Sequence, residues 1–171
     1  SLYSIGGTVL GITTVVDSLD VPWQICWGPD NNIWFTEQSG SISRYDPRTG
    51  SRKRLLFLED TYRMRTSGLL GMALHTDVKR YPYVFVAYTA QTAKDKHVLR
   101  VMRFTYKRDT LTDSRLILEC AAWLGHFGAR VTIAPDGKLM VATGDGAQFD
   151  NAQDTGSPHG KILRFNIDGT I

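Results

Sequence analysis

The chain has 171 residues, of which 42% are hydrophobic and 22% charged, and its formal net charge is +3. That length suffices for one domain with a full core, and the composition reads as a soluble globular protein rather than a disordered or membrane-embedded one. The apolar runs, such as 84–88, are strand-length and far short of a membrane span.

The basic residues are scattered. Their densest groups, Arg52-Lys53-Arg54 and Arg63 with Arg65, lack aromatic interleaving, so they read as a solvated face and not a nucleic-acid site. The chain opens at Ser1 without a charged-then-apolar leader, which is expected of a mature or trimmed form. Cys26 and Cys120 stand far apart in apolar settings without a Cys-x-x-Cys pattern. They read as buried free thiols, with a disulfide between them left open.

Strand signals dominate from end to end. The N-terminal stretch 7–16 reads as one extra strand. Strands follow at 24–27, 32–37, 41–45, 53–58, 71–75, 83–88, 98–106, 115–120, 130–134, 138–143 and 161–166. Turn formers separate them: Pro29-Asp30-Asn31, Gln38-Ser39-Gly40, 46–50, Pro135-Asp136-Gly137 and Asp168-Gly169.

The pattern repeats. Residues 27–37 and 133–143 are the same unit, a strand, a Pro-Asp hairpin turn and a second strand. A worn third copy lies at 73–88, with Thr76-Asp77 in the Pro-Asp place. Each hairpin is followed by a strand carrying an arginine, and a further strand closes the first two units. Four strands per unit of about 45–60 residues is the pattern of β-propeller blades. A β-sandwich explains the strands but not the repeat.

The expected architecture is therefore all-β, a single partial propeller domain over 1–171 with about three four-stranded blades. Three blades do not close a ring. Closure requires further chain or a partner chain, and the 7–16 strand is placed to complete a distant last blade.

One histidine stands out chemically. His126 sits in a glycine-bounded turn just before a strand, where a rigid sheet can present a base. Read by itself, such a histidine is first a residue satisfied by backbone groups at a strand entry and second a site residue. Arg130 reads as a structural ion pair. Asp145, Asp150 and Asp154 form an acidic loop that reads first as turn chemistry and second as a calcium loop. His75 and His159 lack zinc-ligand spacing.

The order of motifs over 21–171 resembles the soluble glucose/sorbosone dehydrogenase family. The elements that carry the resemblance are Gly68-Leu69-Leu70-Gly71 followed by His75, then His126-x-Gly128-x-Arg130, then Gly160-Lys161-Ile162-Leu163-Arg164-x-Asn166-x-Asp168-Gly169. That family consists of six-bladed propeller quinoproteins using pyrroloquinoline quinone (PQQ) with calcium, and the resemblance covers its N-terminal half.

By resemblance, His126 is the base that removes a sugar hydroxyl proton while hydride passes to PQQ. Thr66 and Asp150 take the places of sugar-contacting glutamines, and Gly125 replaces an acidic residue beside the histidine. The residues that hold PQQ and calcium are expected beyond Ile171, and no metal ligands are assigned within the chain. The implied compartment is periplasmic or extracellular, and the implied partner is a sugar or related small molecule. Two other readings stand beside this one. The first is a non-catalytic propeller that binds carbohydrate or a protein. The second is a lactonase-type hydrolase, for which Glu37 is a candidate metal ligand.

Overall fold

The computed structural model describes residues 1–123 and 125–171. Thirteen strands form four antiparallel sheets, with no α-helix among the described residues. β1 (Leu2–Ile5) and β2 (Thr8–Gly11) make a separate hairpin. The first blade is β3 (Pro22–Trp27), β4 (Ile33–Glu37), β5 (Ser41–Asp46) and β6 (Ser51–Phe57). The second is β7 (Leu69–Leu74), β8 (Tyr83–Ala93), β9 (Lys96–Lys107) and β10 (Thr110–Ala122). The third holds β11 (Gly128–Ile133), β12 (Leu139–Thr143) and β13 (Ile162–Phe165). Each sheet is a meander in chain order, and β7 lies beside both β3 and β11. First strands side by side, with sheets fanning outward from them, is propeller geometry.

Turn chemistry sets the register locally. At 134–138 the Gly137 amide donates to the Ala134 carbonyl at 2.9 Å, and Gly137 has φ +80°. At the matching turn of the first blade, Asn31 takes φ +58° and its amide donates to the Gly28 carbonyl at 3.0 Å. The Asp30 carboxylate there accepts from the Trp34 indole at 3.0 Å. The Pro-Asp turn thus reaches into its own blade and fixes a core aromatic.

The middle blade is apolar on both faces because both are covered. Leu69, Met72, Val84, Val86 and Tyr88 pack toward the first blade with Trp34 and Ile42. Leu70, Ala73, Phe85 and Ala87 pack toward the third with Val131, Leu139 and Val141. Strict alternation along β8 sends its side chains to two different cores. Phe85 is fully buried, so Phe85→Ala is expected to cost about 3–5 kcal/mol. Urea unfolding should show a lower midpoint with an unchanged slope.

The sequence expectations need correction at three points. The stretch 7–16 is not one strand. Gly6 and Gly7, at φ +54° and +83°, turn the chain between Ile5 and Thr8. A two-residue turn with both φ positive is the type I′ hairpin turn, so β2 pairs with β1. Among the described residues the third blade has three strands, not four. Beyond β12 the chain makes a single 3-10 turn at Phe149–Ala152, which the strand pattern did not foretell. No helix among the described residues is long and apolar enough to cross a membrane.

Candidate functional site

The chemistry gathers where the chain enters β11. Phe127 and Ala129 are buried in the core shared with the second blade, while His126 between the loop and the strand is exposed. His126 takes φ +56°, a left-handed conformation that costs a non-glycine residue energy and is held here by its surroundings. Its carbonyl accepts from the Gly146 amide at 3.1 Å, and that of Phe127 accepts from Gly144 at 2.8 Å. A Cβ at Gly144 would overlap the His126 carbonyl oxygen, so the two loop arms touch backbone to backbone.

The same hairpin brings an acid to the base. His126 Nδ1 lies 3.0 Å from Asp145 Oδ1. A carboxylate only accepts, so Nδ1 carries the proton and donates, which leaves Nε2 with a free lone pair. The His126 side chain is 57% exposed and that of Asp145 22%. The Asp145 carboxyl is held below the usual carboxylate range. The chief cause is the Ala147 amide donating to it, and His126 adds to the effect. Asp145 is thus fixed from one side by backbone and orients the imidazole from the other.

Sequence reasoning placed Asp145 in an acidic loop and missed this role. The signal was there. β11 and β12 pair with Gly128 opposite Thr143. Two residues beyond each member of that pair stand His126 and Asp145, which the hairpin register therefore sets face to face.

Of the other expected site residues, Thr66 comes close. It is exposed, and its Oγ1 lies 4.0 Å from where a Cβ on Gly125 would stand. Gly125 thus leaves room for a Cβ between Thr66 and the histidine loop. Asp150 is exposed in the 3-10 turn. Its backbone carbonyl accepts from Gln153 and Asp154, and nothing ties its carboxylate to His126. The Phe149 ring centroid lies 6.3 Å from that of His126.

The remaining candidates are structural. Asp154 accepts from the Gly156 amide two residues on, which is turn chemistry. His75 Nδ1 accepts from the Asp77 amide, and His159 Nε2 donates to the Ala121 carbonyl at 2.7 Å. Arg130 makes no ion pair among the described residues, contrary to expectation. It faces away from the core on β11 and donates to Gln24 Oε1 at 3.3 Å. Both cysteines are free; burial raises the Cys26 thiol and pushes Cys120 up to about 11. Among the described residues no group of three or more His, Cys, Asp or Glu is placed to hold a metal ion.

Glu37 is committed elsewhere. Its Oε1 accepts from the Asp20 amide at 2.8 Å and its Oε2 from Arg52 at 2.9 Å. It is buried, so Glu37→Gln is expected to cost about 1–3 kcal/mol in stability. Chemical unfolding midpoints of the two proteins, compared at one pH, check that statement.

Comparison with known proteins agrees with this geometry. The Glucose / Sorbosone dehydrogenase family model matches residues 19–171. Quinoprotein glucose dehydrogenase B of Acinetobacter calcoaceticus is 30% identical over 187 residues, covering 92% of this chain and 39% of its own length. The PQQ-bound aldose sugar dehydrogenase of Streptomyces coelicolor superposes with a TM-score of 0.82 at 26% identity, over 92% of this chain and 48% of that one. Human Hedgehog-interacting protein is 31% identical over 120 residues, covering 59% of this chain and 17% of its own length. The chain spans less than half the length of each of these relatives. With the family match over nearly the whole chain and blades in matching order, this chain belongs to the Glucose / Sorbosone dehydrogenase family.

Proposed function

We propose that the chain carries the substrate-side half of a sugar dehydrogenase site, with His126 as the base that takes the proton from a sugar hydroxyl. The observation that carries this is the His126–Asp145 pair. An exposed imidazole with Nδ1–H committed to a carboxylate presents Nε2 outward as a proton acceptor. Hydride leaves a carbinol carbon more readily as its oxygen sheds a proton, so a base near neutrality is the group this reaction needs. As the proton arrives at Nε2, the imidazolium that forms lies beside Asp145, whose negative charge stabilises it. Thr66 stands across the open space at Gly125, where its hydroxyl can hold a sugar oxygen. Asp150, in the same 3-10 turn as Phe149, is assigned a sugar contact at the rim of the site.

PQQ, when bound, supplies the two-electron acceptor. The described residues fit the substrate side of such a site and not its cofactor side. They gather no metal-ligand cluster for calcium, and the Asp145 carboxylate is taken up by the Ala147 amide and His126. The holding of PQQ and calcium is therefore assigned to residues outside this chain, and a periplasmic or extracellular setting goes with that assignment. The test is dye reduction with a panel of aldoses in the presence of PQQ and calcium. No activity on any aldose, with quinone binding intact, would refute the dehydrogenase reading.

A second reading is a propeller that binds a carbohydrate or protein without oxidising anything. Gly125 favours it, because no acidic side chain there helps to grip the sugar. Calorimetric sugar binding without substrate-dependent dye reduction would establish it.

A further inference from the structure

The loop between β12 and β13 carries one phenyl ring, and it lies beside the base. Phe149 opens the 3-10 turn Phe149–Ala152. Its ring centroid is 6.3 Å from that of His126, with the ring planes inclined at 51°. That is neither a stack nor an edge-to-face contact. Phe149 belongs to neither hydrophobic core. An exposed phenyl ring is by itself ordinary, but one fixed beside a proton acceptor has a position to explain.

The turn that holds Phe149 is braced at both ends. The Gln148 amide and Asn151 Nδ2 each donate to the Asp145 carbonyl at 3.2 Å. At the far end Lys161 Nζ donates to the carbonyls of Asn151, Ala152 and His159 at 2.6, 3.1 and 2.9 Å. An ammonium has three protons, so this side chain is wholly spent on the loop. These bonds run within residues 145–161, inside the third blade. Asp145 is also the residue that orients His126, so one braced loop places both the phenyl ring and the partner of the base.

We propose, on the reading of His126 as the base, that Phe149 is the platform on which the sugar ring lies while one of its hydroxyls meets His126 Nε2. The site therefore takes its substrate in the cyclic pyranose form. The axial C–H bonds of a pyranose make an apolar, weakly positive face, and the negative face of the phenyl ring is its complement. An open-chain sugar offers no such face. A hydroxyl donating to Nε2 stands roughly 2.7–3.0 Å from it, and a ring resting on the phenyl lies about 3.5–4.0 Å above it. Two protein rings 6.3 Å apart and inclined allow one pyranose to make both contacts. The phenyl ring also supplies grip at a site where Gly125 supplies none.

The test uses the holoenzyme, loaded with PQQ and calcium, with D-glucose as the pyranose. Phe149→Ala should raise KM about 10-fold and leave kcat within about twofold, because the platform holds substrate and transition state alike. Glucose affinity should fall by the same factor when titrated by calorimetry with the holoenzyme pre-reduced, where no turnover occurs. Phe149→Tyr should keep the unmodified KM. Phe149→Leu, apolar but without a π face, should stay nearer to Phe149→Ala. Unchanged KM and affinity in Phe149→Ala, a loss confined to kcat, or full function in Phe149→Leu overturns the proposal. Should Phe149→Ala unfold, the comparison of Phe149→Leu with Phe149→Tyr decides. The reading of His126 fails separately. Glucose bound but not oxidised, with an affinity that still depends on Phe149, refutes the base and leaves the platform standing. No glucose binding at all overturns both.

Discussion

Replacing His126 by glutamine is expected to lower the maximal rate of sugar oxidation by about 10²–10⁴-fold, the usual contribution of a positioned general base. Stability should barely move, because the side chain is more than half exposed and its one hydrogen bond runs to a partly exposed carboxylate. Glutamine keeps a donor for Asp145 but has no group that can accept a proton. The loss should therefore fall on kcat, with KM little changed. Asp145→Asn should give a smaller loss by a different route. An amide can donate to Nδ1, which favours the tautomer with the proton on Nε2 and takes away the acceptor. Steady-state dye reduction, with kcat and KM fitted separately for each variant, separates the two by the size of the kcat loss. Equal loss in unfolding stability and in rate for His126→Gln would show a structural residue instead.

The Asp145 carboxyl also sets an acid limit. Its value in the fold is depressed, first by the Ala147 amide and then by His126. A depressed carboxyl adds stability that is present above its unfolded value and is lost as pH falls through its folded value. The loop pairing should therefore persist below the ordinary carboxylate range and give way only in stronger acid. Asp145→Asn should remove that acid-dependent component, which unfolding midpoints at a series of low pH values would show.

How much of this the sequence disclosed varies with the range of the interaction. Local turn chemistry and strand alternation were legible, so the repeated Pro-Asp hairpins at 29–31 and 135–137 led to the blades and their order. Motif order singled out Thr66 and His126, and Thr66 Oγ1 lies 4.0 Å from where a Cβ on Gly125, beside His126, would stand. The partner of His126 was written only as hairpin register, because pairing Gly128 with Thr143 requires knowing where both strands begin. The N-terminal stretch misled for a related reason. Thr8–Gly11 has strand composition wherever it pairs, but Gly6-Gly7 makes its nearest neighbour Leu2–Ile5. Arg130 was assigned an ion pair from its acidic neighbours in sequence. Alternation instead points it off the core face, toward Gln24 on a different blade.

Gly71→Ala is expected to be among the most disruptive single-methyl changes at the described residues. Gly71 lies in β7 where this strand meets β11, and a Cβ there would overlap the Ala129 carbonyl and come within 3.2 Å of the Val131 amide nitrogen. These are backbone atoms held by the β11–β12 ladder and by buried Phe127, Ala129 and Val131, so no rotamer change relieves the contact. The first strands of the second and third blades must therefore separate. Overpacking against fixed backbone costs about 3 kcal/mol or more, which for a domain of this size lowers Tm by roughly 6–12 °C. Gly11→Ala is the control, since a Cβ there meets only the Leu2 side chain at 3.9 Å, an ordinary contact, and should leave Tm unchanged. The consequence for function follows from position. Ala129 is three residues from His126, so moving β11 away from β7 also moves the loop that carries the base away from Thr66. A displacement of about 1 Å at such a site costs on the order of 10²-fold in rate. Gly71→Ala should thus lose both stability and kcat, whereas Phe85→Ala, buried in the same core but away from the loop, should lose mainly stability. If Gly71→Ala melts with the unmodified protein and keeps its rate, the close approach of β7 to β11 is not what positions the base.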